Sequence, residues 1–247
     1  MKGKDYDAKF DMALKYYNKK NYYKAFPLFE ELMSIYRGTA KAERTYYYYA
    51  YCNYYSGDYE SAAYDFDNFA RTFPSSEYAE ECAFMHANCF YEDSPIYSLD
   101  QTNTIKAIDK LQLFADRYPK SSRLPKCNEM IDELRFKLET KDFENAKLYY
   151  GTSQYKSAVT AFKNLTNDYP GTKYHEESMF MILKSQYQYA ENSIESKKQE
   201  RMQQAITFYN EFSNSYSESK FRKDANSIAE SIRKKLEKIS SNSISLK

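Results

Sequence analysis

The chain has 247 residues, with Lys+Arg 36 against Asp+Glu 35 and a formal net charge of +1, so it lacks the basic excess of a duplex nucleic-acid binder. Gly 5 and Pro 6 fall far below their usual share, which argues against a turn-rich all-β protein and against Rossmann or P-loop phosphate sites. Tyr 28 and Phe 16 exclude a disordered chain, and a mean hydropathy of −0.86 with no long apolar run argues against a membrane-spanning helix.

The N-terminus, Met1-Lys2-Gly3-Lys4-Asp5-Tyr6, carries no apolar targeting core and no cleavage site. It fits either a cytosolic protein or one whose targeting segment was removed. From there the chain repeats itself. Ala25, Ala62, Ala107, Ala158 and Ala205 are followed four residues on by Phe29, Phe66, Leu111, Phe162 and Tyr209. Seven residues on come Leu32, Phe69, Phe114, Leu165 and Phe212, and eleven on come Tyr36, Phe73, Tyr118, Tyr169 and Tyr216. At 100° per residue these offsets span a stripe about 60° wide, so each alanine marks a helix with one apolar edge. Pro74, Pro119 and Pro170 then stop three of these helices.

A first helix precedes each of them. Its small residue is Ala13, Ala50, Ala87 or Ala146 in four units and lets two antiparallel helices approach closely. Ser56-Gly57-Asp58 is one of the polar turns within a pair, with glycine at the left-handed helix end. The anchors are spaced by 37, 45, 51 and 47 residues. The excess is expected in a loop over Asp93–Asp100, in one long helix from about Ser122 to Tyr150, and in a polar stretch from Glu191 to Glu200. Pro27 lies inside a second helix and predicts a small kink there. A closing helix runs from Lys220 to about Ile239, with Phe221, Ala225, Ile228, Ile232 and Leu236 on one side. It carries seven basic residues against three acids, which suits a solvated cap face or, alternatively, anionic headgroups or an acidic partner. The tail at Ser240–Ser243 is expected to fray.

This is the tetratricopeptide pattern. It predicts an all-α superhelical solenoid of five helix pairs plus a C-terminal capping helix, divided into residues 1–119 (units one to three) and 120–247 (units four and five and the cap). First helices line the inner face of such arrays. Phe10, Leu14, Tyr17 and Asn18 from the first, Tyr47, Tyr51, Tyr54 and Tyr55 from the second, and Phe84, Asn88 and Tyr91 from the third would form an aromatic groove for an extended peptide. Packing between helices is the alternative role for these rings. Arg135, Lys137, Lys141 and Tyr150 lie on the long helix. Their spacing puts Arg135 and Lys137 on different sides, so they form no single basic stripe.

No catalytic set is expected. His86 and His175 are the histidines, and His175-Glu176-Glu177 lacks the second histidine of a zinc-protease helix. Cys82, His86 and Cys89 share a helical face, but about 10.5 Å of rise separates the two thiols, too far for one zinc ion or a disulfide. Cys52, Cys82, Cys89 and Cys127 therefore read as small apolar fillers with free thiols, with no metal or cofactor implied.

Two stretches carry a family resemblance. One is Asp100-Gln101-Thr102-Asn103-Thr104 with Ala107-Ile108, Phe114, Tyr118-Pro119 and Ser121-Ser122. The other is Leu134-Arg135-Phe136-Lys137-Leu138 with Lys141, Ala146, Tyr149-Tyr150, Tyr155, Ala158, Phe162 and Tyr169-Pro170. With the five-unit layout, the chain resembles the BamD/ComL-like tetratricopeptide lipoproteins of the outer-membrane β-barrel assembly machinery. The resemblance implies a non-enzymatic scaffold at the periplasmic face of the outer membrane, held by a lipid anchor this sequence does not contain. It implies that the C-terminal repeats dock the periplasmic domains of the barrel-forming partner, and that the N-terminal repeats receive unfolded outer-membrane β-barrel segments. A general tetratricopeptide adaptor of the periplasm or cytosol is the alternative. Four internal cysteines are unusual for an oxidising compartment.

Overall fold

The computed structural model describes residues 2–245, with side chains over 6–239 and at Ser241. Among the described residues every regular element is a helix. The order is α1 (Lys2–Asn18), α2 (Tyr22–Tyr36), α3 (Ala42–Tyr55), α4 (Tyr59–Thr72), α5 (Ala79–Glu92), α6 (Thr102–Arg117), α7 (Leu124–Gly151), α8 (Tyr155–Asp168), α9 (His175–Glu191), α10 (Glu195–Ser215) and α11 (Arg222–Ser245). They form tetratricopeptide-like helix pairs, and α11 closes the series. The chain divides into two compact units, Met1–Arg135 and Phe136–Lys247. The boundary falls inside α7.

The five anchor alanines, on α2, α4, α6, α8 and α10, are all 0% exposed. In the N-terminal unit, Ala25 and Phe29 pack with Ala13 and Cys52, and Phe66 and Phe69 pack with Ala50, Cys82 and Met85. Leu111 and Phe114 of α6 pack on Cys127, Met130 and Leu134 of α7. In the C-terminal unit, Phe162 and Leu165 pack with Phe143 and Ala146, and Phe212 and Ala205 pack with Phe180, Leu183 and the α11 residues Ala225 and Ile232.

The turns of three pairs, α1–α2, α3–α4 and α7–α8, share one geometry. Lys20, Gly57 and Ser153 all have positive φ, at 58°, 79° and 61°. The following amides donate back to Tyr16 O, Asn53 O and Tyr149 O at 2.9, 3.1 and 2.9 Å, which closes a Schellman motif at each site. Glycine occupies only the middle one, so the backbone tolerates lysine and serine in a left-handed well at some cost.

The junctions between pairs repeat a second geometry. Thr39, Ser76, Ser121, Thr172 and Ser219 each lie fourteen residues after an anchor alanine. The hydroxyl of each accepts from the amide two residues on, at 3.3, 3.3, 3.1, 3.2 and 3.0 Å. These turns start α3, α5, α7, α9 and α11 and satisfy amides that the helix itself leaves unpaired.

The long helix runs from Leu124 to Gly151, with Pro125 in its first turn where a missing N–H costs nothing. The loop over Asp93–Asp100 is also as expected. α2 is continuous through Pro27. The stretch from Glu191 to Glu200 departs from expectation. α9 ends at Glu191, the break is confined to Asn192–Ile194, and Glu195–Glu200 opens α10. Pairs three residues apart, Lys198–Glu195 at 2.5 Å and Lys197–Glu200 at 3.0 Å, support this polar first turn, and Arg201 Nη1 donates to Ser193 Oγ at 2.5 Å across the break. α11 also runs on through Ser240–Ser243 to Ser245; the side chains of 240 and 242–243 lie outside the described residues.

Candidate functional site

The aromatic positions on α1 and α3 form a connected wall in the N-terminal unit, and α5 adds Phe84, whose ring meets Phe114 of α6 edge-on at 5.6 Å, and Tyr91. Tyr47 and Tyr51, one turn apart on α3, have ring centroids 4.7 Å apart. Tyr51 stacks on Tyr55 at 5.6 Å, and Tyr55 stacks on Tyr22 at 4.9 Å and meets Tyr17 edge-on at 6.1 Å. Tyr48, outside the expected set, links Tyr17 to Phe10 with centroid distances of 4.9 and 6.4 Å.

The hydroxyls are tied down by polar groups on the next helices. Tyr47 Oη and Tyr51 Oη both donate to Glu81 Oε1, at 2.7 and 2.5 Å. Arg123 Nη2 holds the other Glu81 oxygen at 3.3 Å, and Arg123 Nη1 reaches Glu80 Oε1 at 3.5 Å. Asn88 Nδ2 donates to Tyr54 Oη at 2.9 Å, and Tyr91 Oη donates to Glu133 on α7. Burial, reinforced by the Glu81 carboxylate, pushes the Tyr47 and Tyr51 hydroxyls well above the ordinary phenol range. Tyr91 is raised to about 12, first by its bond to Glu133 and then by burial; Tyr54 is raised to about 12, chiefly by burial. Tyr47, Tyr51, Tyr54 and Tyr91 therefore stay protonated and uncharged; Tyr47, Tyr51 and Tyr91 donate to carboxylates, whereas Tyr54 accepts from Asn88.

The expected residues differ in depth. Tyr51 is 6% exposed, whereas Tyr55 is 49% exposed. Phe10, Leu14, Tyr17, Tyr47, Tyr54, Phe84 and Tyr91 are half-buried. Phe10 also lines an open cleft of about 250 Å³ with Asp7, Asp11, Lys41 and Arg44. The Arg44 guanidinium lies 5.5 Å over the Phe10 ring and 5.8 Å over Tyr48. Glu81, Arg123 and Arg44 were not identified from sequence. Glu81 left a weak signal, as an acid in the first turn of α5.

The second set of positions is dispersed along α7. Arg135 is exposed and, with Asp116 and Asp132, lines a groove of about 390 Å³ between α6 and α7. Lys137 and Lys141 are half-buried. Tyr150 packs edge-on against Tyr155 at 5.5 Å, with Lys184 Nζ 5.3 Å over its ring.

The cysteines occupy repeat positions. Cys82 and Cys127 are equivalent to Thr45, Ser178 and Ala225, twenty residues after each anchor, and all five are 0% exposed. Cys52 and Cys89 are equivalent to Leu134, Ser185 and Ile232, twenty-seven residues after each anchor, and each of these is at most 1% exposed. All four thiols are free and buried. Burial raises their pKa, which makes them poor nucleophiles. His86 Nδ1 donates to Ala63 O at 2.8 Å, so this half-buried ring has a structural partner.

Comparison with known proteins completes the site's context. The YfiO family model, described as outer membrane lipoprotein, matches residues 3–199. The chain belongs to this family. A similar protein is the outer membrane protein assembly factor BamD of Caulobacter vibrioides, 24% identical over 135 residues; the match covers 55% of this chain and 44% of the relative. The matched region thus spans less than half of that relative's length. Among solved structures, the TPR2AB domain of yeast Sti1 in its pHSP90 complex is 12% identical, with a TM-score of 0.43, covering 94% of this chain and 99% of the other. No helix among the described residues is long and apolar enough to cross a membrane.

Proposed function

We propose that this member of the outer-membrane lipoprotein family is a non-enzymatic scaffold in the assembly of outer-membrane β-barrel proteins. Membership of the family over residues 3–199 carries the reading, and the name of its Caulobacter relative supports it. In this reading the chain works at the periplasmic face of the outer membrane, held by a lipid anchor. Residues 1–119 receive extended segments of unfolded barrel proteins. Residues 120–247 dock the periplasmic domains of the barrel-forming partner, with Arg135, Lys137, Lys141 and Tyr150 as contact residues.

The wall supports the first role through its chemistry. Tyr17, Tyr54, Tyr55, Phe84 and Tyr91 offer ring faces, while Glu81, Asn88 and Glu133 hold the tyrosine hydroxyls of α3 and α5 and pre-order the surface. Rigid aromatic area binds at low entropic cost. A barrel strand alternates apolar and polar residues, so its apolar side can lie along such rings.

The test is the affinity of a C-terminal peptide from a barrel protein, read by fluorescence anisotropy. Tyr55→Ala, at an exposed ring, should weaken binding by about tenfold, within the range of interface aromatic anchors. The buried Tyr51 would confound such a test with folding. Unchanged affinity in Tyr55→Ala and in Phe84→Ala, with native circular dichroism, would reject the groove.

A further inference from the structure

An open cavity of about 670 Å³, whose lining shares no residue with the aromatic wall, lies where α2 meets α1, the end of α3 and the start of α4. Met12, Phe26, Pro27 and Leu28 give it apolar sides, and Glu30, Asn53 and Asp58 form its polar end. Phe26 is braced by stacking on Tyr49 at 4.8 Å. Tyr23 stands at the lining and is 88% exposed, a large ring left in water beside an apolar hollow.

The polar end has an uneven charge balance. Asn53, 8% exposed, donates through Nδ2 to Asp65 Oδ2 at 2.8 Å, and Asp65 behind it is 7% exposed. Glu30, Asp58 and Asp65 thus place three carboxylates at this end. Among the described residues none of the three has a lysine or arginine within ion-pair distance. Lys24 also lines the cavity, but its ammonium lies 5.7 Å over the Tyr16 ring. Burial raises the Asp65 carboxyl, the response of an acid lacking a cation.

We propose that this cavity binds a segment of a partner protein in which an apolar side chain is flanked by arginine or lysine. The apolar group fills the space between Met12, Phe26 and Leu28, and the cation meets the rim formed by Glu30 and Asp58, with Asp65 adding long-range attraction from below. Charge complementarity selects this occupant. An uncharged apolar segment would leave the carboxylates uncompensated, and an acidic one would be repelled.

The test uses the full chain and a defined probe: a capped heptapeptide with one phenylalanine between two arginines and glycine elsewhere. Its control carries citrulline for arginine. The arginine peptide should shift the Met12 and Leu28 methyl signals saturably and bind about tenfold more tightly than the control, as expected for two carboxylates near a partly desolvated cation. Glu30→Gln with Asp58→Asn should erase that difference. Asparagine keeps the cap that Asp58 Oδ1 gives to Ser61 N at 3.1 Å. Glu30→Lys alone, at an exposed helical position, should give the same loss without touching the cap. Tyr55→Ala should leave the probe's affinity unchanged, which separates this site from the wall. Equal affinity of the two peptides, binding without shifts at Met12 and Leu28, or no binding at millimolar peptide overturns the proposal.

Discussion

Replacing Asp65 with asparagine should remove a pH dependence built into the N-terminal unit. Asp65 is 7% exposed, and burial lifts its carboxyl from an ordinary 3.8 to about 6, against the opposing hydrogen bond from Asn53. Asp58 raises it further, and Tyr46 and Tyr49 of α3 and Cys89 of α5 are the other titratable groups in its field. The native state therefore holds a proton that the unfolded chain releases. That contribution to stability is fully present below pH 3.8 and is lost as pH rises through about 6. Two pKa units correspond to about 3 kcal/mol in the limit, of which about 2 kcal/mol falls between roughly pH 4.5 and 7.5. Urea unfolding of the wild type and of Asp65→Asn across that range isolates the effect, because the acid sensitivity of half-buried His86, whose pKa desolvation lowers, is common to both proteins and cancels. The wild type should lose about 2 kcal/mol relative to the variant as pH rises. A stability difference that stays flat over this range would refute the burial argument.

Three further outcomes follow from the packing. Thr172→Ala removes the acceptor for Tyr174 N at the start of α9 and should cost about 1 kcal/mol in urea unfolding, with Thr172→Ser restoring it. Ser153→Gly relieves a left-handed residue and should raise stability by about 0.5–1 kcal/mol, read as a higher denaturant midpoint. Phe162→Ala empties a 0%-exposed site at the centre of the C-terminal core and should cost about 3–5 kcal/mol, seen as a loss of that unit's unfolding transition at moderate urea.

The second helices were legible because both of their neighbours press on one stripe. An alanine with leucine or an aromatic four and seven residues on and an aromatic eleven on can satisfy that geometry in few other ways, and all five anchors are buried. The junctions were harder to see. Their common element is a hydroxyl fourteen residues past the anchor, serine in three cases and threonine in two, which means little until its oxygen is seen accepting an amide. The core position twenty residues past the anchor is filled by threonine, cysteine, cysteine, serine and alanine. These residues share size and almost no chemistry, so composition hides a constraint that packing makes plain. The cysteines fit it without any redox role.

Packing from the next repeat is also why the wall could be located but not graded from sequence. Periodicity places Tyr47, Tyr51 and Tyr55 in one row on α3, since four residues return a helix to nearly the same face. What separates a 6%-exposed Tyr51 from a 49%-exposed Tyr55 is the adjacent first helix. Near the start of α5, Glu81 reaches back to take the Tyr47 and Tyr51 hydroxyls, and Arg123 from the next junction neutralises it. Tyr55 sits at the last residue of α3, away from those groups, and has only rings beside it. The exposed end of the row is thus set by where the neighbouring carboxylate stops, and a charged side chain on one repeat decides which aromatic of the previous repeat is left exposed.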